Sequence, residues 1–365
     1  MQDRAGAARV DRRRARARSR PGTCVAPWSR SPRRVHSSGR WPWGECTAWP
    51  VRGGAVGWEE AGSRVALDRT RRIAVAPTTA PDPSRKPRTV PSVRGTKVRR
   101  GDEPLVMVTA YDASSARTVD EAGVDLILVG DSLAMVVLGH EDTLSVTVQE
   151  MAHHIAAVAR TRPGALVVGD LPWMSYHVSE ADTVMNAAEL IRAGAQCVKL
   201  EGGTKRVPMV EALTDAEIPV MGHLGLTPQS MHAMGGFRVQ AKDSAAALAL
   251  VADAKALERA GCFAIVLEGV PDAVAKLVTD SVEVPTIGIG AGTHCDGQVL
   301  VYHDLLGLED RRPAKFVRRY ADQHRDAVDA LSRFAADVRG GAFPGPEETY
   351  HLSEDQAEAL SLYGS

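Results

Sequence analysis

Three features of the sequence predict an α/β chain folded as a (β/α)8 TIM barrel. Four short apolar runs of strand length each stop at a carboxylate: Leu126 to Asp131, Leu166 to Asp170, Cys197 to Glu201 and Ala264 to Glu268. Between the apolar runs lie amphipathic stretches of helical length, the alternation expected of βα units. Ala-Gly pairs recur shortly before a new strand, as helix stops do. In a parallel barrel every strand presents its C-terminal end to the same face, so the four acids should meet in one small volume.

Taken in order, strands are expected to begin near Val106, Leu126, Leu166, Cys197, Pro219, Ala264 and Thr286. An eighth is expected around Val299 to Tyr302, where the same residues also suit a helical turn. Helices are expected over residues 114–122, 146–160, 179–193, 204–216, 243–260 and 271–281. Ser179 and Asp243 are natural starts, and the pairs at 122–123, 193–194 and 260–261 are natural stops. The longest intervals on the active face, residues 131–145 with Gly139-His140 and 224–242 with Gly225, Gly235 and Gly236, follow strands two and five, where barrels keep function. Residues 315–339 read as one additional amphipathic helix outside the barrel, packing on the domain or on a neighbouring subunit.

Charge divides the chain. Residues 1–100 hold 24 Lys and Arg against 7 Asp and Glu, whereas residues 101–365 hold 20 against 38. The acidic part is close to the roughly 250 residues of a single barrel. We therefore expect a leader over residues 1–88, a catalytic barrel with its C-terminal helix over 89–346, and a polar tail over 347–365. The leader is rich in Arg, Ser, Pro and Gly and lacks sustained periodicity, which predicts disorder. A dispensable segment or a misassigned start accounts for it. The alternative of a different class, nucleic-acid binding through this basic arm, would use phosphate neutralisation and stacking on its tryptophans. Unpatterned basic sequence argues against a nucleic-acid partner.

The cysteines (Cys24, Cys46, Cys197, Cys262, Cys295) show no C-x-x-C spacing. A disulfide framework or zinc site is not expected, and a reduced, cytoplasmic setting fits. No apolar run approaches the roughly 18 to 20 residues of a membrane span.

Any one strand-final acid can be a helix cap or turn former. Four together repel unless a cation or proton neutralises them. A hard divalent ion answers this: Mg²⁺ prefers oxygen ligands, keeps several waters and commonly uses one or two direct carboxylates. Asp131, Asp170 and Glu201 are accordingly assigned to the metal, leaving Glu268 for another role. Lys199 precedes Glu201 by two residues, so both face the barrel interior; it either pairs with Glu201 or binds a substrate carboxylate. Ser132 is either a turn serine or a donor to that same anion. His223 reads as a hydrogen-bonded core histidine whose role stays open. The glycines of Gly288-Ile-Gly-Ala-Gly292 do not complete a dinucleotide fingerprint, because the third Gly position falls on Thr293; they fit a tight turn or the close approach of a flat ligand.

Seven collinear motifs carry a further signal: Val108-Thr-Ala-Tyr-Asp112, Val129-Gly-Asp-Ser-Leu133, Gly169-Asp-Leu-Pro172, Val198-Lys-Leu-Glu-Gly-Gly203, Gly222-His-Leu-Gly-Leu-Thr-Pro-Gln229, Val266-Leu-Glu268 and Ile287-Gly-Ile-Gly-Ala-Gly292. Together they resemble the ketopantoate hydroxymethyltransferase family from about Val90 to Pro346. The resemblance implies a barrel of the phosphoenolpyruvate mutase and isocitrate lyase group, assembled as a homo-oligomer, typically a decamer. It implies hydroxymethyl transfer from 5,10-methylenetetrahydrofolate to 3-methyl-2-oxobutanoate, giving 2-dehydropantoate for pantothenate and coenzyme A synthesis. It also implies Mg²⁺ near Asp131, Asp170 and Glu201, the keto acid on Asp131, Ser132, Asp170 and Lys199, and Glu268 as proton acceptor. The closest rival is another Mg-dependent, enolate-forming carbon–carbon lyase of the isocitrate lyase group.

Overall fold

Eight parallel strands close into a barrel in strict sequence order, β1 pairing with β8 to complete the ring. They are β1 Leu105–Thr109, β2 Leu126–Val129, β3 Leu166–Asp170, β4 Cys197–Glu201, β5 Val220–Gly225, β6 Ala264–Glu268, β7 Thr286–Ile289 and β8 Gly297–Leu300. The computed structural model describes residues 86–360, so the expected leader before residue 86 lies outside the described residues.

Side chains alternate across each strand, as the period of two requires. Met107, Leu126, Val168, Met221, Val266 and Ile287 fill the barrel interior. Ile127, Val129, Val167, Val198 and Ile265 point outward and pack beneath the helices. The N-terminal end is closed by Val93, from the short helix Val90–Arg94, and by Lys97, whose ammonium is fully buried. Lys97 Nζ donates to Asp296 Oδ2 (2.7 Å) and to Val284 O (2.9 Å). All the polar action at the other end is therefore separated from this end by layers of apolar side chains.

Most helix ends follow the sequence. Ser179 caps Glu180–Ala193 by accepting from Asp182 N, and Asp243 caps Ser244–Arg259 by accepting from Ala246 N. Gly194 ends the first of these at φ 117°, where an added Cβ would stand 2.4 Å from Ala159 Cβ. Only glycine fits that turn.

Two expectations shift. The eighth strand occupies Gly297–Leu300, two residues earlier than expected, because Tyr302–Leu306 forms a helix and takes the second half of that run. The outer helix covers Gln323–Gly340 and not residues 315–339. Ahead of it the backbone bonds elsewhere: Tyr320 N donates to Leu305 O (2.8 Å), and the Arg319 guanidinium donates to the carbonyls of Glu309 and Arg311 (2.9 and 2.6 Å). Those partners hold the preceding residues as a loop, part of which reaches the barrel mouth.

Candidate active site

The C-terminal ends of the strands surround a cavity of about 520 Å³, lined by Asp131, Ser132, Asp170, Lys199, Glu201, His223 and Glu268. Every residue singled out from the sequence thus reaches one volume. Lys199, Glu201, His223 and Glu268 come directly off the inward face of β4, β5 and β6, and Asp170 ends β3. Asp131 follows Gly130 past the end of β2, and its backbone N–H donates to Asp170 Oδ2 at 3.2 Å.

Strand register decides the pairing. Asp170 lies beside Lys199 in the β3–β4 ladder, and Lys199 Nζ stands 2.8 Å from Asp170 Oδ1 but 3.9 Å from Glu201 Oε1. The closer contact makes Asp170 the ion-pair partner of Lys199. Glu201 is satisfied elsewhere: His223 Nδ1 lies 3.2 Å from its Oε1, and Gln229 N donates to its Oε2 at 3.0 Å. The other ring nitrogen, His223 Nε2, faces Glu268 Oε2 at 3.3 Å.

Ionisation follows from this crowding. Burial, then repulsion from Asp170 and Glu201, pushes the Asp131 carboxyl well above the usual carboxylate range. Burial also raises Asp170, against the pull of Lys199. Glu201 is lowered overall: burial opposes ionisation, but His223, Lys199 and the Gln229 N–H outweigh it. Burial and Lys199 push His223 down, yet the Glu201 charge and the contacts with both glutamates prevail and raise it to about 9. Desolvation would depress Lys199, and three surrounding carboxylates reverse that and raise it.

The donor chemistry fits a hard cation with few direct protein ligands. Fully ionised, Asp131, Asp170 and Glu201 would set three negative charges against Lys199 and a protonated His223, and the upward shifts of Asp131 and Asp170 put the unbalanced charge on that pair. Among the described residues no group of three His, Cys, Asp or Glu is disposed to hold a metal ion unaided. Mg²⁺ on one or two carboxylates, completed by water, needs no such group.

Around this centre stand residues that sequence reading did not assign. Tyr111 OH is 2.9 Å from Ser132 Oγ and fixes its side chain. Gln229 Nε2 donates to Asp131 Oδ2 at 2.9 Å. The outer wall carries Met135, Phe237, Arg311, Arg312 and Phe316. Gly290, at φ +62°, lets the Phe316 ring approach: an added Cβ would meet it at 2.8 Å. The close approach expected at these glycines is thus made by the chain's own aromatic ring. The signal for Gln229 was its place shortly after strand five in Thr227-Pro228-Gln229; Met135 and Phe237 lie in the two long intervals expected to carry function, whereas Arg311, Arg312 and Phe316 had no signal.

A closed parallel barrel with acids, a lysine and an imidazole gathered at its C-terminal mouth defines a (β/α)8-barrel enzyme. The chain belongs to the ketopantoate hydroxymethyltransferase family, whose model matches residues 89–346. It is 57% identical over 256 residues to the 3-methyl-2-oxobutanoate hydroxymethyltransferase of Methylobacterium sp. (strain 4-46), an alignment covering 70% of this chain and 89% of that one. It is 53% identical over 260 residues to the protein of that name from Enterococcus faecalis (strain ATCC 700802 / V583), covering 71% of this chain and 94% of the relative. Among solved structures, 2,3-dimethylmalate lyase, a PEP mutase/isocitrate lyase superfamily member, aligns with a TM-score of 0.48 at 17% identity, over 74% of this chain and 93% of that one.

Proposed function

We propose that the protein transfers a hydroxymethyl group from 5,10-methylenetetrahydrofolate to 3-methyl-2-oxobutanoate, giving 2-dehydropantoate, with Mg²⁺ as cofactor. The observation that carries this reading is the meeting of Asp131, Asp170, Lys199 and Glu268 in one cavity at the barrel mouth. Asp131 and Asp170 would hold the ion directly, with Glu201 acting through water, since Mg²⁺ commonly takes one or two direct carboxylates. Bound there, Mg²⁺ supplies Lewis-acid polarisation of the keto carbonyl, which acidifies the adjacent C–H.

The chain's own residues do the rest. Lys199 offers its ammonium to the substrate carboxylate, and Ser132, held by Tyr111, offers a hydroxyl beside it. Glu268 accepts the C3 proton; a positioned general base of this kind contributes roughly 10²- to 10⁴-fold in rate. His223 stands beside Glu268 and links it to Glu201. Leu128, Val266 and Val299 wall the reacting carbon with apolar surface and exclude water that would return a proton to it. The cavity exceeds what a five-carbon acid fills. Its outer part, with Phe237, Phe316, Arg311 and Arg312, suits a flat aromatic carrier bearing carboxylates.

The protein would work as a homo-oligomer in the cytoplasm. Helix Gln323–Gly340 buries none of its residues yet carries Val328, Leu331, Phe334 and Val338 along one exposed face, which supports a subunit contact. The buried thiols Cys197, Cys262 and Cys295 are free, as suits a reducing compartment. No helix among the described residues is long and apolar enough to cross a membrane.

The test is a steady-state assay of the full chain with 3-methyl-2-oxobutanoate, methylenetetrahydrofolate and Mg²⁺. Formation of 2-dehydropantoate that stops on chelation or on omitting the folate is expected. Keto acid cleavage without folate would favour the lyase alternative instead.

A further inference from the structure

Gln229 is buried (5% exposed), and every polar atom of its side chain has a partner. The loop that carries it is anchored twice. At Gly225 (φ +93°) an added Cβ would come within 2.2 Å of Glu268 O, and the next residue, Leu226, donates its N–H to that same oxygen at 2.8 Å. Pro228 then opens a short 3₁₀ turn, Pro228–Ser230, closed by Ser230 N donating to Thr227 O at 2.8 Å. Gln229 is therefore set against the strand ends by backbone geometry before its side chain makes any contact.

The orientation of its amide follows from chemistry. Tyr176 OH accepts the Glu201 N–H at 3.2 Å, so its own proton is free to go to Gln229 Oε1, 2.5 Å away. Leu171 O can only accept, and it lies 3.0 Å from Gln229 Nε2. The remaining Nε2 hydrogen points at Asp131 Oδ2, 2.9 Å away. A flipped amide would set an oxygen against a carbonyl and a carboxylate together, so only one orientation is satisfied. Meanwhile the Gln229 backbone N–H donates to Glu201 Oε2 at 3.0 Å. One residue thus supplies a hydrogen to two of the carboxylates, from a loop that belongs to neither of their strands.

We propose that Gln229 is a positioning residue: its amide, oriented by Tyr176, holds the Asp131 carboxylate by Oδ2 so that Oδ1 is left to face the cavity as a cation ligand. No described donor hydrogen-bonds to Asp131 Oδ1, whereas Oδ2 is committed to Gln229. Partners that orient metal-binding groups in this way typically carry 10- to 100-fold in metal affinity or activity. This inference rests on the reading of Asp131 as a metal ligand, and the test separates the two.

The experiment compares wild type, Gln229→Met and Tyr176→Phe as full-length proteins. It measures Mg²⁺ affinity by titration calorimetry, melting without metal, and turnover as a function of Mg²⁺. Wild type that binds no Mg²⁺ would defeat the metal reading itself. Given wild-type binding, Gln229→Met should weaken Mg²⁺ affinity by roughly 10- to 100-fold, and its turnover should recover as Mg²⁺ is raised. Tyr176→Phe should do the same to a smaller degree, and the double variant should bind no worse than Gln229→Met alone, since both act through one amide. Unchanged affinity in a folded Gln229→Met protein, or lost melting with affinity intact, would overturn the positioning role. Should Gln229→Met fail to fold, Tyr176→Phe decides: wild-type Mg²⁺ affinity in that variant overturns the proposal equally.

Discussion

His223 Nε2 stands 3.3 Å from Glu268 Oε2, while the opposite ring nitrogen of the same imidazole faces Glu201. The contact is within ion-pair distance although the N–H is not aimed along it. One buried ring therefore ties the proposed proton acceptor to the acid cluster, and its pKa of about 9 keeps it cationic at neutral pH in the metal-free protein. Glu268→Gln preserves the shape of the side chain and removes its basicity. It should bind keto acid as wild type does but lose deuterium exchange at C3 together with turnover, by about 10²- to 10⁴-fold. Proton NMR of the keto acid in D₂O reads this directly, and undiminished exchange would take Glu268 out of the base role.

Metal dependence gives an independent check. Asp131 is raised by burial and by its acidic neighbours, so removing either it or Asp170 relieves repulsion in the metal-free state. Asp131→Ala should therefore melt no lower than wild type without Mg²⁺, whereas Asp170→Ala also strips the buried Lys199 ammonium of its closest carboxylate and should melt lower. Saturating Mg²⁺ should stabilise wild type, by about 2.7 kcal/mol at a concentration of 100 Kd, and should leave both variants unmoved. A variant whose Mg²⁺ titration superimposes on that of wild type would contradict the ligand assignment.

At the far end of the barrel, the Lys97–Asp296 pair predicts a loss of stability that is separate from the reacting centre. Asp296 also accepts from Val98 N and Thr286 N, both at 2.9 Å. Asp296→Ala strands a fully buried ammonium and should cost about 3 to 5 kcal/mol. Urea unfolding measures it, and a shift under about 1 kcal/mol would mean that the lysine finds water. Adding Lys97→Met to the same protein should restore part of the loss, because the unpaired charge is then gone.

Contacts to the barrel reach back to Arg88, whose N–H donates to Gly164 O and whose guanidinium binds Asp125, each at 2.8 Å. A deletion of residues 1–85 spares these bonds. It should retain wild-type kcat/KM and melting temperature, and full-length and shortened chains should show equally weak RNA binding in a filter assay. RNA affinity that disappears with the deletion would revive the basic arm as a working part.

Much of this enzyme was legible along the chain. Apolar runs ending in acid fixed the strands, the period of two put Lys199 and Glu201 on one face, and parallel pairing carried four distant carboxylates to one rim. These are local properties: side-chain alternation and strand polarity need no knowledge of what lies across the ladder. What only the tertiary structure decided is who meets whom. Lys199 chose Asp170 over Glu201 because adjacent strands lie under 5 Å apart, whereas residues i and i+2 of one strand are separated by nearly 7 Å. Likewise His223 bridges two glutamates, and Gln229 reaches an aspartate 98 residues earlier in the chain. Such partnerships depend on barrel closure and on loop backbone geometry, which no periodicity in the sequence encodes.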